Sequence, residues 1–124
     1  MAWSFDSKSA VSVQITSILR LDIIRGRYKP GEQFPTVRQL AYEAAVNPNT
    51  MQKALSTLED EGLLVTQGTS GRIVTSDDNV IKGALLKLQA EHIKRVVNES
   101  IELGLSKDDF IRLINEHYER KENV

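Results

Sequence analysis

The stretch Thr36-Val37-Arg38-Gln39-Leu40-Ala41-Tyr42-Glu43-Ala44-Ala45-Val46-Asn47-Pro48-Asn49-Thr50-Met51-Gln52-Lys53-Ala54-Leu55 contains two helix starts in close succession. Pro35 disfavours helical geometry at Phe34, so no helix runs into this segment from upstream. Thr36 is placed as an N-cap, and Val37, Leu40, Ala41 and Ala44 recur as an apolar stripe, which predicts a short helix over Val37–Ala44. The pattern ends near Ala45-Val46. Asn47 then supplies a capping side chain, and Pro48 fits a first helical position, where a missing N–H costs no hydrogen bond. A further helix over about Pro48 to Glu61 follows. Met51, Leu55 and Leu58 form its apolar face, with Asn49, Gln52, Lys53, Ser56 and Thr57 mostly directed elsewhere.

Upstream, Val11, Ile15, Ile18, Leu19 and Ile23 predict a first helix over Val11–Arg25, closed by Gly26. Tyr28-Lys29-Pro30-Gly31 has the residues of a type II turn, in which proline presets one angle and glycine accepts the positive one after it. Downstream of Gly62, the runs Leu63–Gln67 and Arg72–Thr75 flank Gly68-Thr69-Ser70-Gly71, a pattern that predicts a hairpin with a four-residue loop. Asp77-Asp78-Asn79 can cap a long helix over about Val80 to Leu103 that carries Ile81, Leu85, Leu88, Ile93, Val96, Val97 and Ile101. Gly104 ends it. Ser106 with Asp109 reads as a capping box for a last amphipathic helix bearing Phe110, Leu113, Ile114 and Tyr118. The expected fold is mostly α with a small β-hairpin: a first region over 1–78 and a two-helix region over 79–124.

The chain has 124 residues, about one domain's worth, with 40% apolar and 27% charged residues, enough for a packed core. With no cysteine, disulfide scaffolds, thiolate zinc sites and cysteine nucleophiles are excluded. Met1 to Ala10 lacks the layout of a signal peptide, and no apolar run reaches the roughly 18 to 20 residues of a membrane span, so a cytoplasmic, non-membrane protein is expected. The net charge of −1 argues against a uniformly basic coat. Any attraction to nucleic acid must therefore be local.

The second and third helices, separated by a short turn, have the layout of a helix-turn-helix. In that motif the amino end of the second helix reaches base edges while the preceding helix crosses the backbone. The hairpin that follows makes it winged. Ile24-Arg25-Gly26, Tyr28-Lys29-Pro30-Gly31, Phe34 to Ala41, Val46-Asn47-Pro48-Asn49-Thr50, and Ala54-Leu55 through Leu58-Glu59-Asp60-Glu61-Gly62-Leu63-Leu64 resemble the GntR family of bacterial regulators. The Asn-Pro-Asn-Thr run is typical of its YtrA-type subgroup. The resemblance covers Val11 to Val74 in order.

It implies duplex DNA as the partner, with contacts clustered at the start of the second helix, the first turns of the third, and the wing. By position these are Arg38, then Asn47, Asn49, Thr50 and Gln52, then Thr69 and Ser70; Thr36, Lys53 and Arg72 on the same elements are further candidates. The chemistry suits them: arginine can grip phosphate or guanine bidentately, asparagine and glutamine can pair with adenine, and threonine can hold a phosphate. Many relatives carry arginine where this chain has Pro48 or Gln52, so its electrostatic contribution is expected to be thinner.

Competing roles exist for several of these residues. Arg38 could pair with Glu43, Asn47 has a structural task as a cap, and Thr69, Ser70 and Arg72 could form a plain turn. His92 and His117 lie near Glu91 and Glu116, but zinc sites typically gather three or four protein ligands, so no metal is expected. No cofactor is expected either.

The residues after Asp78 are too few to enclose a usual ligand pocket. The broad stripe on the long helix instead suggests burial against a second copy, as in the resembled subgroup; the competing arrangement folds both helices back on their own winged domain. The resulting expectation is a homodimeric repressor on a pseudo-palindromic operator, released by an unidentified signal. A protein-interaction module is the rival reading that the acidic balance favours. An enzyme finds little support, since there is no glycine-rich phosphate loop, metal cluster or convincing Ser-His-Asp arrangement.

Overall fold

The computed structural model describes residues 3–122. Helices α1 (Val11–Ile24), α2 (Val37–Ala44) and α3 (Pro48–Asp60) are followed by strands β1 (Leu64–Thr66) and β2 (Arg72–Val74), then by helices α4 (Asp78–Glu102) and α5 (Lys107–Glu122). The chain divides into two compact units, Met1–Leu85 and Leu86–Val124. The architecture is the expected one: mostly helical, with a winged helix-turn-helix in the first unit.

Three helices and the hairpin of the first unit enclose one core. Ile15, Leu19 and Ile23 of α1 meet Leu40 of α2, Met51, Leu55 and Leu58 of α3, and Leu63, Leu64 and Val74 of the hairpin region, all fully or almost fully buried. The i, i+4 spacing along α1 and the i, i+4, i+7 spacing along α3 put these side chains on single stripes. Trp3 and Phe5 lie against this core, as do Val80, Ile81 and Ala84 from the first turns of α4.

Both ends of the helix-turn-helix are capped as the side chains dictate. The Thr36 hydroxyl accepts the Gln39 N–H at 3.1 Å, and Gln39 Oε1 accepts the Thr36 N–H at 2.8 Å, a complete capping box for α2. Ala45 closes α2 in the left-handed region with φ 55°. A non-glycine residue there costs about 1 kcal/mol. The Val46 N–H returns to the Ala41 carbonyl at 3.0 Å, so the reversal into α3 is fixed by hydrogen bonds.

The strands are shorter than the sequence pattern suggests. The Leu63 N–H is spent on the Leu58 carbonyl at 3.0 Å, sealing the end of α3, although the Leu63 carbonyl still accepts the Thr75 N–H at 2.9 Å. At the tip, Gly68–Ser70 forms a turn of 3-10 helix and the Gln67 N–H closes the loop on the Gly71 carbonyl at 2.8 Å.

A third edge, to which the sequence pattern assigns no element, lies beside β2. The Gly31 N–H donates to the Val74 carbonyl and the Val74 N–H to the Glu32 carbonyl, each at 2.9 Å, while the Phe34 N–H donates to the Arg72 carbonyl at 2.8 Å. The expected turn positions this edge. Glu32 N–H meets the Lys29 carbonyl at 2.9 Å, and Gly31 has φ 79° with Ser76 Oγ 3.2 Å from where a Cβ would stand.

In the second unit, Gly104 (φ 75°) turns the chain from α4 into α5. The Ser106 hydroxyl accepts the Asp109 N–H at 3.1 Å. Asp108 and Asp109 lie in the first turn of α5 and Arg120 and Lys121 in its last, the order that the helix dipole favours. Neither α4 nor α5 has a buried residue, and Leu86, Ile93, Ile101, Leu103 and Tyr118 are exposed.

Candidate nucleic-acid interface

The first turn of α3 is built around its cap. Asn47 Oδ1 accepts the Asn49 N–H at 2.7 Å with Pro48 next in line, so the helix begins abruptly. The Asn47 side-chain amide N–H groups remain available to a ligand. Asn49, Gln52 and Lys53 are exposed, and Thr50 is half-buried. Gln52 Nε2 donates to Ser56 Oγ at 3.1 Å, one turn further along the exposed face. Ser56 thus belongs to this polar face by its hydrogen bond.

Arg38 stands exposed on the first turn of α2, and among the described residues its side chain makes no hydrogen bond or ion pair. The competing pairing with Glu43 is therefore not formed. Tyr42, four residues on and so on the same side of α2, is 89% exposed. The helix-turn-helix motif alone assigns it no role. An aromatic residue among Leu40, Ala41 and Ala44 reads as core until the helical phase is taken into account. The Thr36 oxygen is occupied by the cap, yet its hydroxyl proton can still be donated.

The wing is tied to α3. Glu59 accepts from Arg72 Nε through one carboxylate oxygen and from Thr66 Oγ1 at 2.6 Å through the other, joining both strands to α3. Arg72 is thus turned toward Glu59. Thr69 and Ser70 at the wing tip are exposed, and the Ser70 carbonyl accepts from Gln33 Nε2 at 2.9 Å. Gln33 and Glu59 hold the wing from behind. Their roles depend on contacts across many residues, which no local pattern discloses.

The Thr66 and Arg72 hydrogen bonds hold the Glu59 carboxyl below its ordinary range. A carboxylate with a lowered folded-state pKa stabilises fully above its unfolded value, and that contribution is lost as pH falls through the lowered one. Glu59→Gln is therefore expected to cost about 1 kcal/mol at neutral pH, between a buried charged hydrogen bond and an exposed ion pair. The deficit relative to the parent chain should shrink in acid and vanish once Glu59 is protonated. Urea unfolding of both proteins across the acid range measures it; a difference independent of pH would refute this role for Glu59.

Among the described residues no group of three or more His, Asp or Glu side chains could hold a metal ion, and no helix is long and apolar enough to cross a membrane.

The family pattern described as bacterial regulatory proteins, gntR family, matches residues 11–74, from the start of α1 to the end of β2. The chain is 29% identical over 107 residues to the HTH-type transcriptional regulator YhcF of Bacillus subtilis, covering 86% of this chain and 88% of that protein. It is 27% identical over 112 residues to the HTH-type transcriptional repressor YtrA of the same organism, covering 89% and 85% respectively. The solved structure of a GntR family transcriptional regulator from Listeria monocytogenes superposes with a TM-score of 0.85 at 27% identity, over 90% of this chain and 98% of that one. The family pattern spans the capped helix pair and the tethered wing together, so the chain belongs to the GntR family of bacterial regulatory proteins.

Proposed function

We propose that this regulator is a cytoplasmic, homodimeric repressor that places α3 in the major groove of each half of a pseudo-palindromic operator and occludes a promoter. The observation that carries the DNA contact is the polar face of α3 beside an arginine with no partner among the described residues. Asn49, Gln52 and Lys53 are exposed on the first turns of a sharply capped helix, and Arg38 is exposed on the helix before it. Asn49 and Gln52 have the donor and acceptor pairs that read adenine, while Arg38, Thr36, Thr50 and the free amide of Asn47 suit phosphate or guanine edges. Thr69 and Ser70 reach the backbone from the wing. Arg72, engaged by Glu59, contributes by aiming the wing and by whatever its remaining guanidinium N–H groups reach.

The residues 79–124 serve as the dimerisation region in this reading. Helices without a buried residue of their own, carrying exposed Ile93, Ile101 and Tyr118, are matched by a partner with the same need, and a second copy of the chain is such a partner. The repressor role agrees with that of the similar YtrA of Bacillus subtilis, a transcriptional repressor. Release of the operator by a small-molecule effector belongs to the same proposal.

Selection of bound sequences from a pool of random duplexes tests this reading. The expected product is an inverted repeat whose half-sites lie about 34 Å apart, or a multiple of that helical turn, centre to centre. A single unrepeated site would remove the dimer from the proposal. Recovery of no preferred sequence, together with binding indifferent to salt, would favour a protein-interaction module instead.

A further inference from the structure

Between α1 and α3 the first unit carries an open groove of about 150 Å³, lined by Ser12, Val13, Thr16, Ser17, Arg20, Lys53 and Thr57. Its polar groups divide into those already engaged and those that are not. The Thr16 hydroxyl donates to the Ser12 carbonyl at 2.8 Å, the Thr57 hydroxyl donates to the Lys53 carbonyl at 3.1 Å, and Arg20 grips Glu61 through two bonds of 2.8 and 2.6 Å. The Ser12 hydroxyl has no partner among the described residues, although Ser12 is only 8% exposed. The one buried side-chain polar atom left without a hydrogen bond among the described residues is an Asp22 carboxylate oxygen, so the Ser12 hydroxyl keeps access to the groove and can donate to a ligand there. Ser17 is exposed beside it, and Lys53 brings a positive charge that no carboxylate offsets.

We infer that this groove seats one backbone phosphate of the bound duplex, on the flank of α3 opposite the wing; the inference rests on the DNA-binding reading above. An α-helix with its side chains is about 10–12 Å across and the major groove is about 12 Å wide, so phosphates run along both flanks of an inserted helix. Glu59, through Arg72 and Thr66, marks the flank that faces the wing. Thr57, two positions earlier and so well round the helix, faces α1. Lys53 bridges the two settings. It lies four residues after Asn49 on the outward face and also lines the groove. A duplex read by Asn49 therefore brings one strand past Lys53 toward Ser12 and Ser17. The phosphate oxygens would accept from these hydroxyls and from the lysine ammonium.

The test measures affinity of the full chain for its selected operator duplex as a function of salt, in Ser17→Glu, Ser17→Lys and Arg25→Gln. Ser17 is exposed on α1, so neither change should disturb the core. Ser17→Glu should weaken binding at least about five-fold, and Ser17→Lys should strengthen it with a salt slope steeper by about 1.8, the signature of one more neutralised phosphate in each half-site. Arg25→Gln, one unit of charge removed just past the other end of α1, should stay within about two-fold of the parent. A parent-like slope in Ser17→Lys, or a Ser17→Glu loss no larger than that of Arg25→Gln, overturns the groove. If Arg38→Ala still weakens binding in that case, the DNA-binding reading stands without it. Failure of the parent chain to bind any duplex overturns both.

Discussion

Replacing Arg38 and Thr50 together by alanine is expected to weaken binding to each half-site of the operator about 100-fold while leaving the protein folded. Arg38 makes no intramolecular bond among the described residues, so its removal takes nothing from the folded chain, and surface changes of this kind shift stability by no more than about 0.5 kcal/mol. On DNA the same side chain can form a bidentate contact, worth about 1–3 kcal/mol against guanine or somewhat less to phosphate. Thr50, half-buried at the first turn of α3, can add one hydrogen bond of about 1 kcal/mol. If the two act independently, their sum near 3 kcal/mol corresponds to about two orders of magnitude.

The single variants separate the roles of the two residues. Loss of discrimination between the operator and its mismatched forms in Arg38→Ala would identify a base contact. A uniform loss with a salt slope shallower by about one would identify a phosphate contact. Unchanged electrophoretic mobility of an operator-sized duplex with both variants, each melting as the parent does, would show that the assigned face is wrong.

What could be read from the chain before its structure follows the reach of each physical signal. The helix-turn-helix was legible because its determinants are local. Thr36 and Asn47 cap helices whose amides lie two or three residues away, and Pro48 acts at its own position. The core stripes were legible for the same reason, since helical spacing alone aligns Ile15 with Leu19 and Met51 with Leu55 and Leu58.

The edge at Gly31–Phe34 was not. Its hydrogen bonds reach Arg72 and Val74, and a segment bounded by a turn and Pro35 shows no alternation of its own. The site divides along the same line. Residues on α2 and α3 could be proposed from the motif, whereas the Glu59 tether and the Gln33 bond to the wing tip join distant parts of the chain. That tether also explains why Arg72, read from sequence as a candidate contact, has its Nε committed to a carboxylate. Tyr42 was passed over for a different reason. Its helical phase, which puts it beside Arg38, was available in the sequence and outweighs its aromatic character.

A single charge on the apolar face of the second unit should separate the two copies. Val97, Ile101, Leu105, Phe110 and Ile111 line an open groove of about 420 Å³ formed by α4 and α5, and Ile101 is 65% exposed at its edge. A unit of this size with no buried residue among those described cannot stabilise itself by its own core, so covering of this face by a second copy would contribute to its folding as well as to assembly. Ile101→Glu would place a carboxylate in that contact without a partner, and burying an unpaired charge costs far more than leaving it in water. Ile101 is exposed in the single chain, so the substitution removes no buried contact of that chain's own.

The expected result is conversion from dimer to monomer at micromolar concentration, read by sedimentation or light scattering. The affinity for the full operator should fall about 1,000-fold, because two linked half-site contacts gain about 10²–10⁴ over one. Affinity for an isolated half-site should be unchanged, since Ile101 lies outside the unit that carries the DNA face. A parent chain that is monomeric at these concentrations, or an Ile101→Glu chain that remains dimeric with full operator affinity, would show that the apolar face of α4 and α5 does not join two copies.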